Sequence, residues 1–202
     1  MQELYNNVGM VGFILILLGI FVICLIILKI WQFNSLNVWR KNILSLEDRN
    51  LKKEDCLSLI ENLNQNKSPV SKVVQTLLRL KYIDKKPNDY VESEVKRIGM
   101  KGINQLEEYL RPLEVMSHLS PLIGLLGTVL GIIVAFSAIK SASYVDPGLL
   151  SSGISHALIT TALGLSVAIP AQVGFHYLDS KVEHIRKTMS DNVALFSHLN
   201  VE

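Results

Sequence analysis

Several polar side chains lie inside two stretches of the chain that are mostly apolar and contain no Asp, Glu, Lys or Arg. The two stretches are residues 118–139 and 153–178, and they contain Thr128 in the first and His156, Thr160 and Thr161 in the second. An unpaired polar group in an apolar environment costs on the order of a few kcal/mol, so each side chain needs a hydrogen-bonding partner. Such groups either line a path for protons or bond within their own helices.

Carboxylates are missing from these stretches. No aspartate or glutamate lies in residues 118–139, in residues 153–178 or in a third uncharged run, residues 8–28. Proton paths through membranes usually use carboxylates or histidines. If protons cross here, the carboxylate must come from elsewhere, most simply from a partner helix.

The depth of the two threonines favours a shared layer. At 1.5 Å per residue, Thr128 stands about 15 Å from the inner face, and Thr161 about 12 Å from the outer face and about 18 Å from the inner one. His156 is about 5 Å inside the outer end, where an imidazole could titrate near neutral pH or serve as an interfacial hydrogen-bonding group. Thr160, and not Thr161, shares the helix face of His156.

Small residues in the same runs predict close helix packing. Lipid gives helices no hydrophobic reason to associate, so backbone approach through small residues must supply the attraction. The packing residues predicted on this basis are Gly124, Gly127, Gly131, Gly164 and Ala168. Pro121 and Pro170 lie within these helices, where proline produces a bend.

Composition and length indicate an all-α integral membrane protein with three transmembrane helices. Hydrophobic residues make up 49% of the 202-residue chain. The run at residues 8–28 is longer than the core of a secretory signal and has no basic residue before it, so we expect a retained first span. No metal-ligand spacing, CxxC or nucleophile–base set occurs in the sequence, which predicts no metal, no cofactor and no enzyme.

Basic residues predict the orientation. Of the 20 lysines and arginines, 16 lie between residues 29 and 111, so this region is expected in the cytoplasm. The predicted segments are the periplasmic N-terminus with the first span (1–30), a cytoplasmic helical region (31–117), the second span (118–139), a periplasmic loop (140–152), the third span (153–178) and a cytoplasmic tail (179–202). The net charge of +2 reflects this sidedness and indicates no nucleic-acid binding.

Helical periodicity dominates the predicted cytoplasmic region. An amphipathic helix is expected over residues 53–65, and a second from Ser68-Pro69 to about Lys86. Asn88 is expected to cap a helix of ~50 residues that continues into the second span, with a possible kink at Pro112. Its apolar stripe, which includes Val91, Val95, Leu106 and Leu113, packs either within one subunit or between subunits.

Two motifs resemble the ExbB/TolQ/MotA family of bacterial inner-membrane proton channels. The stretch at 119–136, centred on Ser-Pro-Leu-Ile-Gly-Leu-Leu-Gly-Thr-Val-Leu-Gly, is similar to the second-helix signature of the family. The stretch Gly-Ile-Ser-His-Ala-Leu-Ile-Thr-Thr-Ala-Leu-Gly at 153–164, continuing to Pro170, is similar to its third-helix signature. His156 departs from the glutamate that the family often has at this position.

The resemblance implies a homopentamer around a pore lined by Thr128 and Thr161. It further implies an ExbD- or TolR-like single-span partner that carries an intramembrane aspartate, and a TonB-like protein that receives the work. Alternatives within the family are Tol-Pal envelope maintenance and a gliding or flagellar stator. A membrane scaffold that conducts no protons is the rival from another class.

Overall fold

The computed structural model describes residues 2–36, 60–61, 63, 68–141 and 147–197. We number its longer helices α1 to α5 in chain order: α1 (Gln2–Ser35), α2 (Pro69–Leu78) with a π-helical turn after it (Arg79–Ile83), α3 (Asn88–Glu107), α4 (Leu110–Ser141) and α5 (Pro147–Ser197). No strand occurs in the described ranges, so the all-α prediction is confirmed.

Among the described residues, three helical stretches are long and apolar enough to cross a membrane, as predicted. They are Gly9–Ser35 in α1, Asn88–Ser137 across α3 and α4, and Ser151–Ser197 in α5. The first begins where α1 is interrupted at Gly9, whose φ of 66° suits a residue without a β-carbon.

The chain divides into two compact units. One comprises residues 1–28 and 109–177 and is called the membrane unit below. The other comprises residues 29–108 and 178–202 and is called the polar unit.

Within the membrane unit, α1 runs parallel to α5. A β-carbon built on Gly19 would stand 3.1 Å from Cγ2 of Val167, and one built on Gly174 would stand 3.1 Å from Cδ1 of Ile26. Residue numbers therefore rise together along the contact. The inner face of α1 carries Leu15, Val22 and Leu25, all of them buried.

The long stretch formed by α3 and α4 is interrupted at Glu108 and Tyr109, and the kink predicted at Pro112 is wrong in position. Tyr109 has a φ of 67°, and the extended backbone of Glu108 ends α3. Pro112 falls in the first turn of α4, where a backbone N–H has no helical acceptor in any case, so proline costs little there.

Helix starts in the polar unit follow the predicted signals closely. Ser68 precedes α2 with Pro69 at its first position, and the helical stretch ends at Ile83, four residues before Pro87. Asn88 is the first residue of α3 and Pro87 its N-cap, one residue away from the prediction. The helix predicted over residues 53–65 lies mostly outside the described residues.

The apolar stripe of α3 packs inside the chain. Val91, Val95 and Leu106 are buried, and a β-carbon on Gly102 would stand 3.0 Å from Cβ of Pro69 and 3.5 Å from Cε of Met189. The interpretation as packing within one subunit is therefore supported for α3.

A buried lysine joins the end of α1 to the end of α3 in the polar unit. Lys29 is only 2% exposed, and its Nζ donates hydrogen bonds to the Glu108 carbonyl and to Oε1 of Gln32 at 2.8 Å. Nearby, Nε2 of Gln32 donates to the Gln105 carbonyl at 3.1 Å. The last carbonyls of a helix lack N–H partners, and these side chains supply them.

Candidate functional site

The backbones of α4 and α5 approach each other most closely around two glycines. A β-carbon on Gly164 would stand 2.7 Å from the Ser120 carbonyl oxygen and 3.0 Å from Cα of Gly124. The first distance is shorter than real β-carbons essentially ever show, and the second is tighter than nine in ten of their contacts. The two helices meet backbone to backbone here, which fits the packing role predicted for Gly124 and Gly164.

Further small residues continue this contact toward the end of α4. β-Carbons built on Gly127 and Gly131 would stand 2.8 Å from Oγ1 of Thr160 and 3.2 Å from Cβ of Ala157. Since residue numbers rise along α4 and fall along α5, the helices are antiparallel. Ala168, also predicted to pack, is 4% exposed.

Gly153 takes part in the same contact and was missed at the sequence level. A β-carbon there would overlap with Cβ of Ala135. The available signal was Ala135 itself, which extends the four-residue spacing of Gly127 and Gly131 by one step.

Thr161 bonds across the helix contact. Its Oγ1 donates to the Gly124 carbonyl at 3.3 Å, and the residue is half-buried. The alternative that this threonine bonds only its own helix does not describe the structure. The α4–α5 contact sets both the height and the direction of the Thr161 hydroxyl.

Thr128 and Thr160 instead bond within their own helices. Oγ1 of Thr128 donates to the Leu125 carbonyl at 2.7 Å, and Oγ1 of Thr160 to the Ala157 carbonyl at 2.7 Å. Thr160 packs against Gly127 and is only 6% exposed, whereas Thr128 is half-buried. Because Thr161 is level with Gly124, the two threonines predicted to form a layer are about 6 Å apart along the axis, one helical turn.

The remaining predicted residues also lie on α4 and α5. His156 is half-buried on α5, five residues before Thr161. Pro121 lies inside α4 and Pro170 inside α5, and each removes one backbone N–H from its helix. Within the described ranges, no three His, Cys, Asp or Glu residues are grouped so that they could hold a metal ion.

Comparison with known proteins agrees with this architecture. The sequence profile described as the MotA/TolQ/ExbB proton channel family matches residues 65–191, more than half of the chain. The chain belongs to this family. The match includes the second and third spans with the α4–α5 contact, and thus the four candidate residues Thr128, His156, Thr160 and Thr161.

Individual relatives carry ExbB and TolQ names. A biopolymer transport protein ExbB homologue of Methanothermobacter thermautotrophicus is 26% identical over 90% of this chain and 63% of its own length. The Tol-Pal system protein TolQ of Haemophilus influenzae is 29% identical over 78% of this chain and 74% of its own length. The biopolymer transport protein exbB1 of Vibrio cholerae is 38% identical over 40% of this chain and 39% of its own length. The chain therefore spans under two thirds of two of these three relatives.

Proposed function

We propose that this chain is the pore-forming subunit of an inner-membrane motor driven by protons. The observation that carries the proposal is the Thr161 hydroxyl, fixed by the α4–α5 contact in spans without any carboxylate. The Thr161 oxygen can accept a hydrogen bond from a protonated carboxyl group while its own proton stays hydrogen-bonded to the Gly124 carbonyl, and it can donate to an ionised carboxylate when that proton turns away from the carbonyl. Such a hydroxyl suits a path on which a partner's aspartate changes protonation state.

The partner in this proposal is an ExbD- or TolR-like single-span protein. Its helix would stand in a pore formed by several copies of this chain, a homopentamer by the family resemblance. Its intramembrane aspartate would carry the proton past Thr161 and Thr128, with His156 nearer the outer mouth. Movement of the partner against the pore would then pass work to a TonB-like protein and so to uptake across the outer membrane.

The proposed orientation has the N-terminus in the periplasm and the C-terminus in the cytoplasm, following the distribution of basic residues. Reporter fusions test it directly. A fusion at residue 90 should report the cytoplasm and one at residue 145 the periplasm, and the reverse pattern would refute the orientation.

A TolQ-like role is the second candidate. The Haemophilus influenzae TolQ is 29% identical over 78% of this chain, compared with 26% over 90% for the Methanothermobacter thermautotrophicus ExbB homologue. Deletion of the gene separates the two roles. Loss of energised uptake supports the first, and leakage of periplasmic proteins with uptake retained supports the second.

Thr161→Val tests the motor itself, because valine keeps the shape of threonine and removes its hydroxyl. We expect proton-driven function to be lost while the partner still co-purifies with the chain. Thr128→Val should behave similarly or more mildly. Thr160→Val should reduce proton-driven function less than Thr161→Val, since Thr160 is buried against Gly127. The effect of His156→Ala should also be smaller than that of Thr161→Val.

Two outcomes of this experiment are decisive. Full energised growth with Thr161→Val would refute the pore assignment of this residue. Loss of growth together with loss of the co-purified partner would favour the scaffold alternative, because the hydroxyl would then be needed for assembly.

A further inference from the structure

The exposed faces of two membrane helices differ in chemistry. From residue 10 to residue 28, every exposed side chain of α1 is apolar except Cys24, so this face suits lipid. On α5 between residues 153 and 178, the exposed side chains include hydrogen-bonding groups, namely Ser155, Ser166, Gln172 and His176. A face of this kind is typical of contact with protein or water.

Gln172 is the amide on this face, and nothing in the described part of the chain hydrogen-bonds it. The nearby Ser166 differs, because its Oγ donates to the Ala162 carbonyl at 2.8 Å. Gln172 lies six residues before Leu178, about 9 Å inside the end of the span. Pro170, two residues earlier, lacks the N–H that would bond the Ser166 carbonyl, and Ser166 lies about 120° around the helix from Gln172.

Helix geometry aligns Gln172 with Thr161. The two residues are 11 positions apart, which is three turns of an α-helix, so they share one face with about 16 Å between them along the axis. Thr161 is half-buried and bonds α4 through the Gly124 carbonyl, whereas Gln172 is exposed. In the proposed orientation, Gln172 is the cytoplasmic member of the pair.

We propose that Gln172 is a second group on the proton path, and that it orients the water through which protons pass between the Thr161 level and the cytoplasm. This proposal rests on the proposed function. An amide both donates and accepts hydrogen bonds but does not titrate near neutral pH. Gln172 therefore positions water and never carries the proton itself, which stays on water and on the partner's carboxyl group.

Gln172→Leu tests the proposal in the full chain co-purified with its single-span partner. The complex is placed in phosphatidylethanolamine–phosphatidylglycerol vesicles that enclose a pH-sensitive dye, and proton flux is measured under an imposed pH gradient. We expect the flux to fall about tenfold at unchanged partner content, and Gln172→Asn to restore most of it because it keeps the amide. Ser166→Ala is the matched control, since its hydroxyl is already bonded within α5.

Each outcome separates this proposal from the proposed function. If Thr161→Val stops the flux and Gln172→Leu leaves it at the wild-type rate, the water-orienting role is refuted and the motor stands. If neither variant alters the flux, the motor is refuted as well. If Gln172→Leu loses the partner or the oligomer, the amide serves an interface or a lipid headgroup contact, and the path role is again overturned.

Discussion

The helices inside the membrane unit and the helices inside the polar unit pack through different kinds of contact. In the membrane unit, α4 and α5 meet through glycines, and a β-carbon on Gly164 would stand only 3.0 Å from Cα of Gly124. In the polar unit, α2, α3 and the end of α5 meet through larger side chains such as Val73, Val95 and Met189. That contact leaves a cavity of about 850 Å³ between the helices.

The difference follows from the surroundings of each unit. In lipid, burying an apolar side chain gains nothing over leaving it exposed, so helices associate through close backbone packing and hydrogen bonds. In water, burial of apolar surface itself drives association, and an incompletely filled contact is tolerated. Glycines are therefore required along the whole α4–α5 contact, whereas in the polar unit the requirement depends on the position: Gly102 is close to Pro69, and Gly99 has only an ordinary contact.

The largest effect is expected where the backbones are closest, for Gly164→Ala. The new β-carbon would stand 2.7 Å from the Ser120 carbonyl oxygen, and neither backbone can move aside without separating the helices. Overpacking of this kind costs about 3 kcal/mol. We expect a large drop in the melting temperature of the detergent-purified chain and loss of the oligomer in native mass spectrometry.

Gly131→Ala provides the graded comparison. Its β-carbon would stand 3.2 Å from Cβ and 3.4 Å from Cα of Ala157, both longer than the 2.7 Å contact at Gly164, so the cost should be clearly smaller than at Gly164. Equal stability of the two variants would show that the backbone contact at Gly164 does not control packing.

In the membrane unit, the sequence predicted which residues form helix contacts better than it predicted which residues they contact. The four-residue spacing of Gly127 and Gly131 marks a packing face by itself, since only small residues allow close approach. Which face of α5 meets it depends on the register between two helices that are distant along the chain. For that reason the sequence could not tell that Thr161 would bond Gly124 while Thr160 became buried.

Features of the polar unit were predictable only where they are local. The start of α2 at Ser68-Pro69 was correct because capping depends on adjacent residues. The interruption at Tyr109 was not predicted, since a positive φ at a tyrosine has no sequence signal and is set by tertiary contacts. Lys29 entered the sequence analysis only as one of the basic residues that predict the orientation, and its burial against the Glu108 carbonyl depends on a contact between residues 79 positions apart.

A moderate effect is expected for Lys29→Met, which keeps the length of the side chain and removes its donors. The Glu108 carbonyl would lose its hydrogen bond from the buried Lys29 ammonium group, at a cost of about 1–3 kcal/mol. We expect a lower melting temperature, with Lys29→Arg less affected because it retains donors. The control is Lys101→Met on the exposed face of α3, which should change stability by no more than about 0.5 kcal/mol. An equal loss in both methionine variants would contradict the capping role.

The smallest effect, and the one of opposite sign, is expected for Gly99→Ala in α3. Its β-carbon would stand 3.8 Å from Cγ2 of Val73, an ordinary contact at the wall of the cavity. Alanine is the better helix former, so this variant should be stabilised by about 0.5–1 kcal/mol. Gly102→Ala is its matched control three residues away in the same helix, where the β-carbon would stand 3.0 Å from Cβ of the rigid Pro69 ring. We expect the melting temperature of Gly99→Ala to be higher than that of the wild type, and the melting temperature of Gly102→Ala to be lower. If Gly99→Ala is instead as damaging as Gly164→Ala, the two units do not differ in how they use glycine.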